Sequence, residues 1–597
     1  MEERKVHNTE YAPSGDTAEA AGDCPAEAGA SSVHYRNVSL FSFLDEAAET
    51  HPRISACRFH RTNISYEALR RKAEICAANL RAHGVQPGDR VGIMLPNLPQ
   101  TMIAFWGVLK AGAVVTMINP LYMEKELLHI INNAGIHHLI TIDLCWQKID
   151  KLRDSLGIEK YFITTIADAL IFPFNYIYNL TKLRKKNSID IAYNGINILK
   201  FSVLTKGNTR ISCHITDPRR TLAILQYTGG TTGLAKGVML THFNVAANIQ
   251  QIQRVLPFDK STRHVFMAVL PFFHVYGLNT CLVLPTMLSA TVVPMARFVP
   301  GEVPGAIEKY RVTVLPGAPA VYLTMLQHKN KKRHSLQSLE LCISGSAPIP
   351  AETVRRFNEV YGAKIIEGYG LSEASPITHL SPLTGRRKDG SIGVPLPDTQ
   401  ARIVDMELGA LELAPGKIGE LILRGPQVMQ GYWNNPDETA NVLRNGWLYT
   451  GDIAYVDEEG FFYLVDRKKD MIIIAGYNVY PREIDEVLHE HPKVKDAVSI
   501  GVSHPYKGEM IKAYLVLKEG EVCGRSEIVS FCRARLASYK VPRLVEFRDE
   551  LPKSIVGKVL RRVLRAEEES KLKAASGRGD ADAAGESRER RQGEFNG

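Results

Sequence analysis

Short apolar runs of strand length alternate along this chain with apolar stretches of helix length, and that alternation limits the folds open to it. Val91 to Leu95 reads Val-Gly-Ile-Met-Leu, and Met102 to Leu109 follows, long enough for a buried helix. Strands of this kind need cover on both faces, which repeated βαβ units around a mostly parallel sheet provide. At 597 residues the chain exceeds one core, and one domain per roughly 100–200 residues gives about three to five structural units. With 45% hydrophobic and 23% charged residues, wholesale disorder, a collagen-like rod and a polytopic membrane protein are excluded.

The ends differ from the middle. Residues 1–33 hold seven acids and two bases among Ala and Gly, and 574–597 hold five acids and four bases, so both read as tails without a core. The +9 of the whole chain therefore becomes +15 between them. That excess suits an anionic partner: a nucleotide, coenzyme A, acidic lipid headgroups or nucleic acid. The basic residues are not gathered into a nucleic-acid module, and no nucleic-acid partner is expected. Nine cysteines without a CxxC pair fit a reducing cytoplasm. The N-terminus lacks a signal-peptide core, and the longest largely apolar run, Cys281 to Met295, is broken by Pro285 and Pro294, so no spanning segment is expected.

Two segments stand out. Ile171-Phe172-Pro173-Phe174-Asn175-Tyr176-Ile177-Tyr178 runs into Lys182-Leu183-Arg184-Lys185-Lys186. This reads either as a foot on an anionic membrane or as a surface element with core aromatics and a solvated basic face. Farther on, Asp466-Arg467-Lys468-Lys469-Asp470 separates the apolar strands Phe461 to Val465 and Met471 to Ile474. These charges occupy a tight turn or join strands of two sheets, and a domain boundary is expected at about 466–470.

The densest motif is Tyr227-Thr228-Gly229-Gly230-Thr231-Thr232-Gly233-Leu234-Ala235-Lys236-Gly237, just after the apolar strand Thr221 to Leu225. Glycines let a backbone turn tightly with N–H groups inward, while threonine hydroxyls and a lysine add donors and charge, a combination that cradles phosphate oxygens. It is not the kinase and GTPase P-loop, because Ala235 precedes Lys236. Pro552-Lys553-Ser554-Ile555-Val556-Gly557-Lys558-Val559 fails that pattern too, with Pro for the first glycine and Val for the hydroxyl.

With this loop, the chain resembles the adenylate-forming superfamily of acyl-CoA synthetases, luciferases and peptide-synthetase adenylation domains. Six further stretches carry the resemblance in the family's order: Leu270 to Gly277, Gly345-Ser346-Ala347-Pro348, Glu367-Gly368-Tyr369-Gly370-Leu371-Ser372-Glu373, Tyr449-Thr450-Gly451-Asp452, Asp466 to Asp470, and Pro552 to Lys558. The similarity spans about 38–566, and Gly229 together with the aromatic, basic segment is most like bacterial long-chain fatty acid CoA ligases. It implies an α/β fold with a large N-terminal domain of βαβ-type subdomains and a small, mobile α+β C-terminal domain. The expected division is an acidic tail over 1–33, an adenylation and acyl-binding domain over 34–468, the mobile domain over 469–566 and a charged tail over 567–597.

The resemblance also implies the chemistry. A fatty carboxylate attacks the α-phosphate of ATP, giving acyl-AMP and pyrophosphate, and the thiol of coenzyme A then displaces AMP. Thr228, Gly229, Gly230, Thr231, Thr232, Gly233 and Lys236 are the expected phosphate loop and Glu373 the expected Mg2+ ligand. Gly345, Ser346, Ala347 and Pro348, with Gly368, Tyr369 and Gly370, are expected around adenine, though Tyr369 reads equally as core packing on its own. Asp452 is expected on both ribose hydroxyls and Arg467 on the nucleotide from the domain junction. Lys558 is the expected catalytic lysine of adenylation, bridging carboxylate and α-phosphate as a mobile cation. His274 is expected beside the acyl carboxylate, orienting it and not serving as an essential base, since that group is already ionised at neutral pH. Lys469 is the expected hinge of a domain rotation and Gly476 the expected lining of the pantetheine passage.

The rival readings are a medium-chain or aryl CoA ligase, an acyl-AMP ligase loading a carrier protein, and a non-catalytic membrane scaffold on the same fold. A cytoplasmic location, with peripheral contact to an anionic membrane, completes the expectations.

Overall fold

The computed structural model describes residues 32–184, 189–228, 235–256, 258, 263–327, 334–474, 477–504, 508–554 and 559–571. Among them the strands form four sheets. In the eight-stranded sheet, Leu222–Thr228, Val114–Met117, Arg90–Met94, Ile136–Ile142, Lys160–Thr164 and Ile198–Lys200 run parallel, and Lys236–Thr241 and Gly431–Tyr432 close one edge antiparallel. The nine-stranded sheet has a parallel centre, Ser55–Phe59, Thr291–Pro294, Val265–Ala268, Val314–Gly317, Leu341–Ser344 and Lys364–Gly370. Antiparallel strands cap both of its edges.

The alternation in the sequence has its cause here. Val91, Ile93 and Met94 are fully buried, and every residue of the following helix Pro99–Lys110 is buried, so neither element has a solvent face to mark with polar residues. Lys110, the charge at that helix's end, is satisfied by Asp45 at 2.5 Å. The helix His242–Val255 is buried along most of its length as well, but with polar residues that bond outward. Asn244 Nδ2 donates to the carbonyls of Pro426 and Val428, Asn248 Nδ2 to that of Ile377, and Gln251 Nε2 to that of Pro397. This helix therefore fixes the loop-bearing edges of the large sheets relative to each other.

A third sheet pairs Gln400–Val404, Gly419–Arg424, Trp447–Val456, Leu443–Arg444 and Phe462–Arg467. The fourth begins at Ile472–Ile474 and has its own core of Ile472, Val479, Ile484, Leu488, Ile511 and Leu515. The charged string at 466–470 thus joins strands of two different sheets, the second of the two placements the sequence left open. Helix 561–571 continues five residues into the stretch assigned above to the tail. Two of its acids are paired: Glu567 with Arg548 at 2.6 Å and Glu568 with Lys512 at 2.9 Å.

Candidate active site

Several expected site residues lie at or just past the carboxyl ends of parallel strands, the usual ligand position in open α/β sheets: Thr228 ends Leu222–Thr228, Gly345 follows Leu341–Ser344 and Glu373 follows Lys364–Gly370. Thr228 pairs with Lys236, the first residue of the antiparallel returning strand, so the two described ends of the expected phosphate motif lie side by side. Gly229, Gly230, Thr231, Thr232 and Gly233 lie outside the described residues. Lys236 Nζ forms an ion pair with Glu438 and lies 5.3 Å from the centre of the Tyr432 ring. The Tyr432 hydroxyl in turn donates to Glu373 Oε1 at 2.8 Å, so one aromatic side chain links the loop lysine to the expected metal ligand. Burial and the Glu373 carboxylate raise the Tyr432 phenol far above its ordinary range, which keeps it a donor.

Glu373 follows the strand Lys364–Gly370 in a short turn of helix, Ser372–Ala374. Gly370 must lack a side chain, because a Cβ there would sit 2.0 Å from the Pro376 carbonyl oxygen. Tyr369, on the same strand, is buried and its hydroxyl donates to Asp452 Oδ2 at 2.6 Å. The other oxygen, Oδ1, takes Arg467 Nε at 3.0 Å. Asp452 and Arg467 are register partners on neighbouring strands. The arginine is held more firmly protonated by Asp452 first and by Tyr369 and Glu373 as well. Gly451 beside them has φ +68°, and its N–H donates to Glu420, whose second oxygen accepts from Lys468 at 2.8 Å.

The opposite wall comes from Gly345 and His274. A Cβ on Gly345 would lie 3.0 Å from the Tyr276 ring and 3.3 Å from the Gly368 carbonyl, so the absent side chain lets three segments meet. Ser346 and Pro348 are exposed and Ala347 half-buried along the same rim. His274 begins the short helix Val275–Leu278, and Gly277 there approaches so closely that a Cβ would stand 2.3 Å from the Pro271 carbonyl oxygen. His274 is half-buried, and desolvation lowers its pKa to about 4. At neutral pH it is an uncharged hydrogen-bonding ring.

Sequence reasoning missed the residues that fasten this shell. Gln226 Nε2 donates to the Phe273 carbonyl at 2.9 Å, tying the strand Leu222–Thr228 to the His274 loop. Asn97 donates to the carbonyls of Ala268 and Leu270 and accepts the Phe272 N–H, stapling that loop from beneath. Glu438, Tyr432 and Glu420 were missed too. Buried amides at sheet ends give no periodic signal, though the Asn-Pro-Asp-Glu stretch at 435–438 marks a capped helix start.

Two further expected residues, Gly476 and Lys558, are also not among the described residues. Nearby, Ile474 pairs with Tyr477, Lys553 bridges Val559, and the Leu560 N–H donates to the Pro552 carbonyl. At the expected hinge, Arg565 donates to the carbonyls of Lys469 and Asp470 at 3.0 and 3.2 Å.

The donor set fits a magnesium nucleotide. A carboxylate accepts about four hydrogen bonds, so Asp452 keeps room for ribose hydroxyls beside Tyr369 and Arg467. Glu373 keeps a second oxygen beside its bond from Tyr432, and one carboxylate with phosphate and water oxygens makes a normal magnesium site. Lys236 and Arg467 supply positive charge on two sides.

Residues 44–433 match the AMP-binding enzyme family, and 483–558 match the AMP-binding enzyme C-terminal domain. A Long-chain-fatty-acid--CoA ligase of Bacillus subtilis (strain 168) is 45% identical over 534 residues, 89% of this chain and 95% of that protein. A Long-chain-fatty-acid--CoA ligase of Escherichia coli O157:H7 is 38% identical, with 85% and 91% of the two chains covered. Among solved structures, ATP-bound MatB from Rhodopseudomonas palustris superposes with a TM-score of 0.78 at 28% identity, covering 89% of this chain and 99% of that one. Matched by both family domains and by full-length relatives, the chain belongs to the AMP-binding enzymes.

Proposed function

We propose that the protein is an AMP-forming ligase that joins long-chain fatty acids to coenzyme A. The observation that carries this reading is the 45% identity, over nearly the whole of both chains, to the Bacillus subtilis long-chain ligase. In the first step a carboxylate oxygen attacks the α-phosphorus of ATP, and the bond from that phosphorus to the bridging oxygen breaks to release pyrophosphate. In the second, the coenzyme A sulfur attacks the acyl carbon, the bond to AMP breaks and the thiol proton is lost.

Each side chain has a task in this reading. Lys236 and the loop from Thr228 to Gly233 hold the phosphates, with Glu438 and Tyr432 keeping the lysine in place. Asp452 binds the ribose, Arg467 the phosphate side of the nucleotide, and Gly345 to Pro348 with Gly368 to Gly370 border adenine. Glu373 would hold Mg2+, which offsets phosphate charge when bound. Neutral His274 orients the acyl carboxylate without competing as a cation. Lys558 bridges carboxylate and phosphate during adenylation, Lys469 is the hinge by which it departs, and Gly476 leaves the pantetheine passage clear. The protein acts in the cytoplasm. Among the described residues no helix is long and apolar enough to cross a membrane. Its contact with anionic bilayers is peripheral, through the exposed aromatics around Phe172.

The test is acyl-CoA and AMP formation with MgATP, coenzyme A and acids from acetate through octanoate and benzoate to palmitate and oleate. Thioester formation peaking at palmitate or oleate is expected, and a peak elsewhere overturns the long-chain reading. Lys558→Ala should abolish acyl-AMP formation yet still turn supplied acyl-AMP and coenzyme A into thioester. Equal loss of both half-reactions contradicts its role.

A further inference from the structure

An apolar groove is lined by none of the residues given a role in the reaction above. Its cavity, of about 440 Å³, is within the size range of small-molecule sites, and none of its lining residues belongs to the shell described above. Ile166, Leu170, Phe174 and Ile177 form its apolar walls, while Arg61 and Lys309, both exposed, stand at its margin. Three distant parts of the chain are bonded together to build it. Thr62 Oγ1 donates to the Ala169 carbonyl at 2.6 Å, and the Tyr310 hydroxyl donates to the His60 carbonyl at 2.8 Å. The Arg61 guanidinium lies 4.6 Å from the centre of the Phe174 ring, which holds the cation against the apolar wall.

The charges select the occupant. Glu302 lies within the field of His60, but among the described residues neither Arg61 nor Lys309 has a carboxylate partner. Two uncompensated cations beside an apolar trough fit one chemistry, a long chain with an anionic head. Ile171, which also lines the groove, and Phe172 next to it in the chain are 45% and 80% exposed, so apolar surface continues outside it.

We propose that this groove is a second fatty-carboxylate site, separate from the active site, holding the chain along Ile166, Leu170, Phe174 and Ile177 and the carboxylate on Arg61 and Lys309. That the occupant is a fatty acid, not another anionic amphiphile, rests on the long-chain ligase reading.

The experiment is equilibrium binding of radiolabelled palmitate to the full-length protein, with the active site blocked by excess palmitoyl-sulfamoyl-adenosine. One analogue-resistant palmitate per chain is expected. Its affinity should fall tenfold or more in Arg61→Glu/Lys309→Glu and, independently, in Ile177→Asp, while saturated palmitate turnover stays within twofold and certifies folding. Hexadecanol, with the chain but no charge, should not displace it. Absence of a resistant site, survival of that site in both variants, or equal displacement by hexadecanol overturns the proposal. Loss of phosphatidylglycerol-vesicle binding in the double variant, with monomeric palmitate unaffected, overturns it in favour of a lipid surface. If the unblocked wild type makes no palmitoyl-CoA, the ligase reading fails, while the resistant palmitate is still counted and decides the groove separately.

Discussion

Asp452 shows how much one carboxylate can organise. Its Thr-Gly-Asp triplet reads as a routine turn in the sequence, yet it lies in the strand Trp447–Val456, is buried and accepts bonds from Tyr369 on one sheet and Arg467 on the adjoining strand. The Tyr369 side chain, which read as either core or ligand wall, is committed to that bond. Glu367, two residues before Tyr369, has a different environment: burial lifts its pKa to about 7 against the Ile349 N–H and Arg482, which pull it down. A carboxyl whose folded pKa exceeds its unfolded value favours the fold fully below pH ~4.5, and this contribution is lost as pH rises through about 7. Glu367→Gln should therefore gain on the wild type between those values and stay ahead above them. The gain expected at pH 8 is on the order of 1–3 kcal/mol, reduced because the group is only half-buried. Melting temperatures that run parallel from pH 4.5 to 8 contradict this. Motif residues such as Asp452 and Glu373 were legible because their neighbours in sequence are distinctive. Glu438 and Gln226 were not, since their work depends on partners some 202 and 47 residues away.

At the scale of elements, the helix at 561–571 follows the segment of the proposed catalytic lysine and reaches back to the proposed hinge at Lys469 and Asp470. Arg561 pairs with Asp485 at 2.6 Å and Arg565 with Asp470 at 3.2 Å, on the same helix face one turn apart. The Asp485 carboxyl is lifted to about 6 by burial, with Arg561 the principal opposing charge. Arg561→Ala strands that carboxylate, and breaking one side of a mostly buried pair costs about 2–4 kcal/mol. Hydrogen exchange should speed up in Pro481–His489 and Ile472–Ile474 while the large sheets keep their protection. The deficit should narrow as pH falls toward about 6, because without Arg561 the stranded carboxyl takes up its proton at a higher pH than in the wild type. A uniform loss of protection over the whole chain is the outcome that refutes a local role. None of this was visible in the charge string at 466–470, where acids and bases looked interchangeable until the fold showed which faced the returning helix.

The whole molecule presents its apolar and basic features asymmetrically. The sequence left two readings for the aromatic segment, and the helix Phe174–Arg184 divides them: Phe174 is half-buried over the groove, whereas Phe172 and Tyr176 are 80% and 61% exposed. Exposed aromatics on a chain with +15 in its middle favour an anionic bilayer. Phe172→Ser/Tyr176→Ser should reduce flotation with phosphatidylglycerol vesicles several-fold and leave palmitate turnover in solution intact, since both side chains are already in water. Flotation by the wild type that ignores headgroup charge and salt rejects the contact.

The sequence by itself determined the α/β class, the order of the motifs and the chemistry they carry, because strand-length apolar runs and glycine-rich turns are local consequences of backbone sterics and burial. Tertiary structure alone decided which carboxylate meets which cation, that Tyr432 couples Lys236 to Glu373, and that a groove lies beside Phe174. Those pairings join residues far apart in the chain, and a contact energy between distant side chains leaves no periodic trace in the sequence of either.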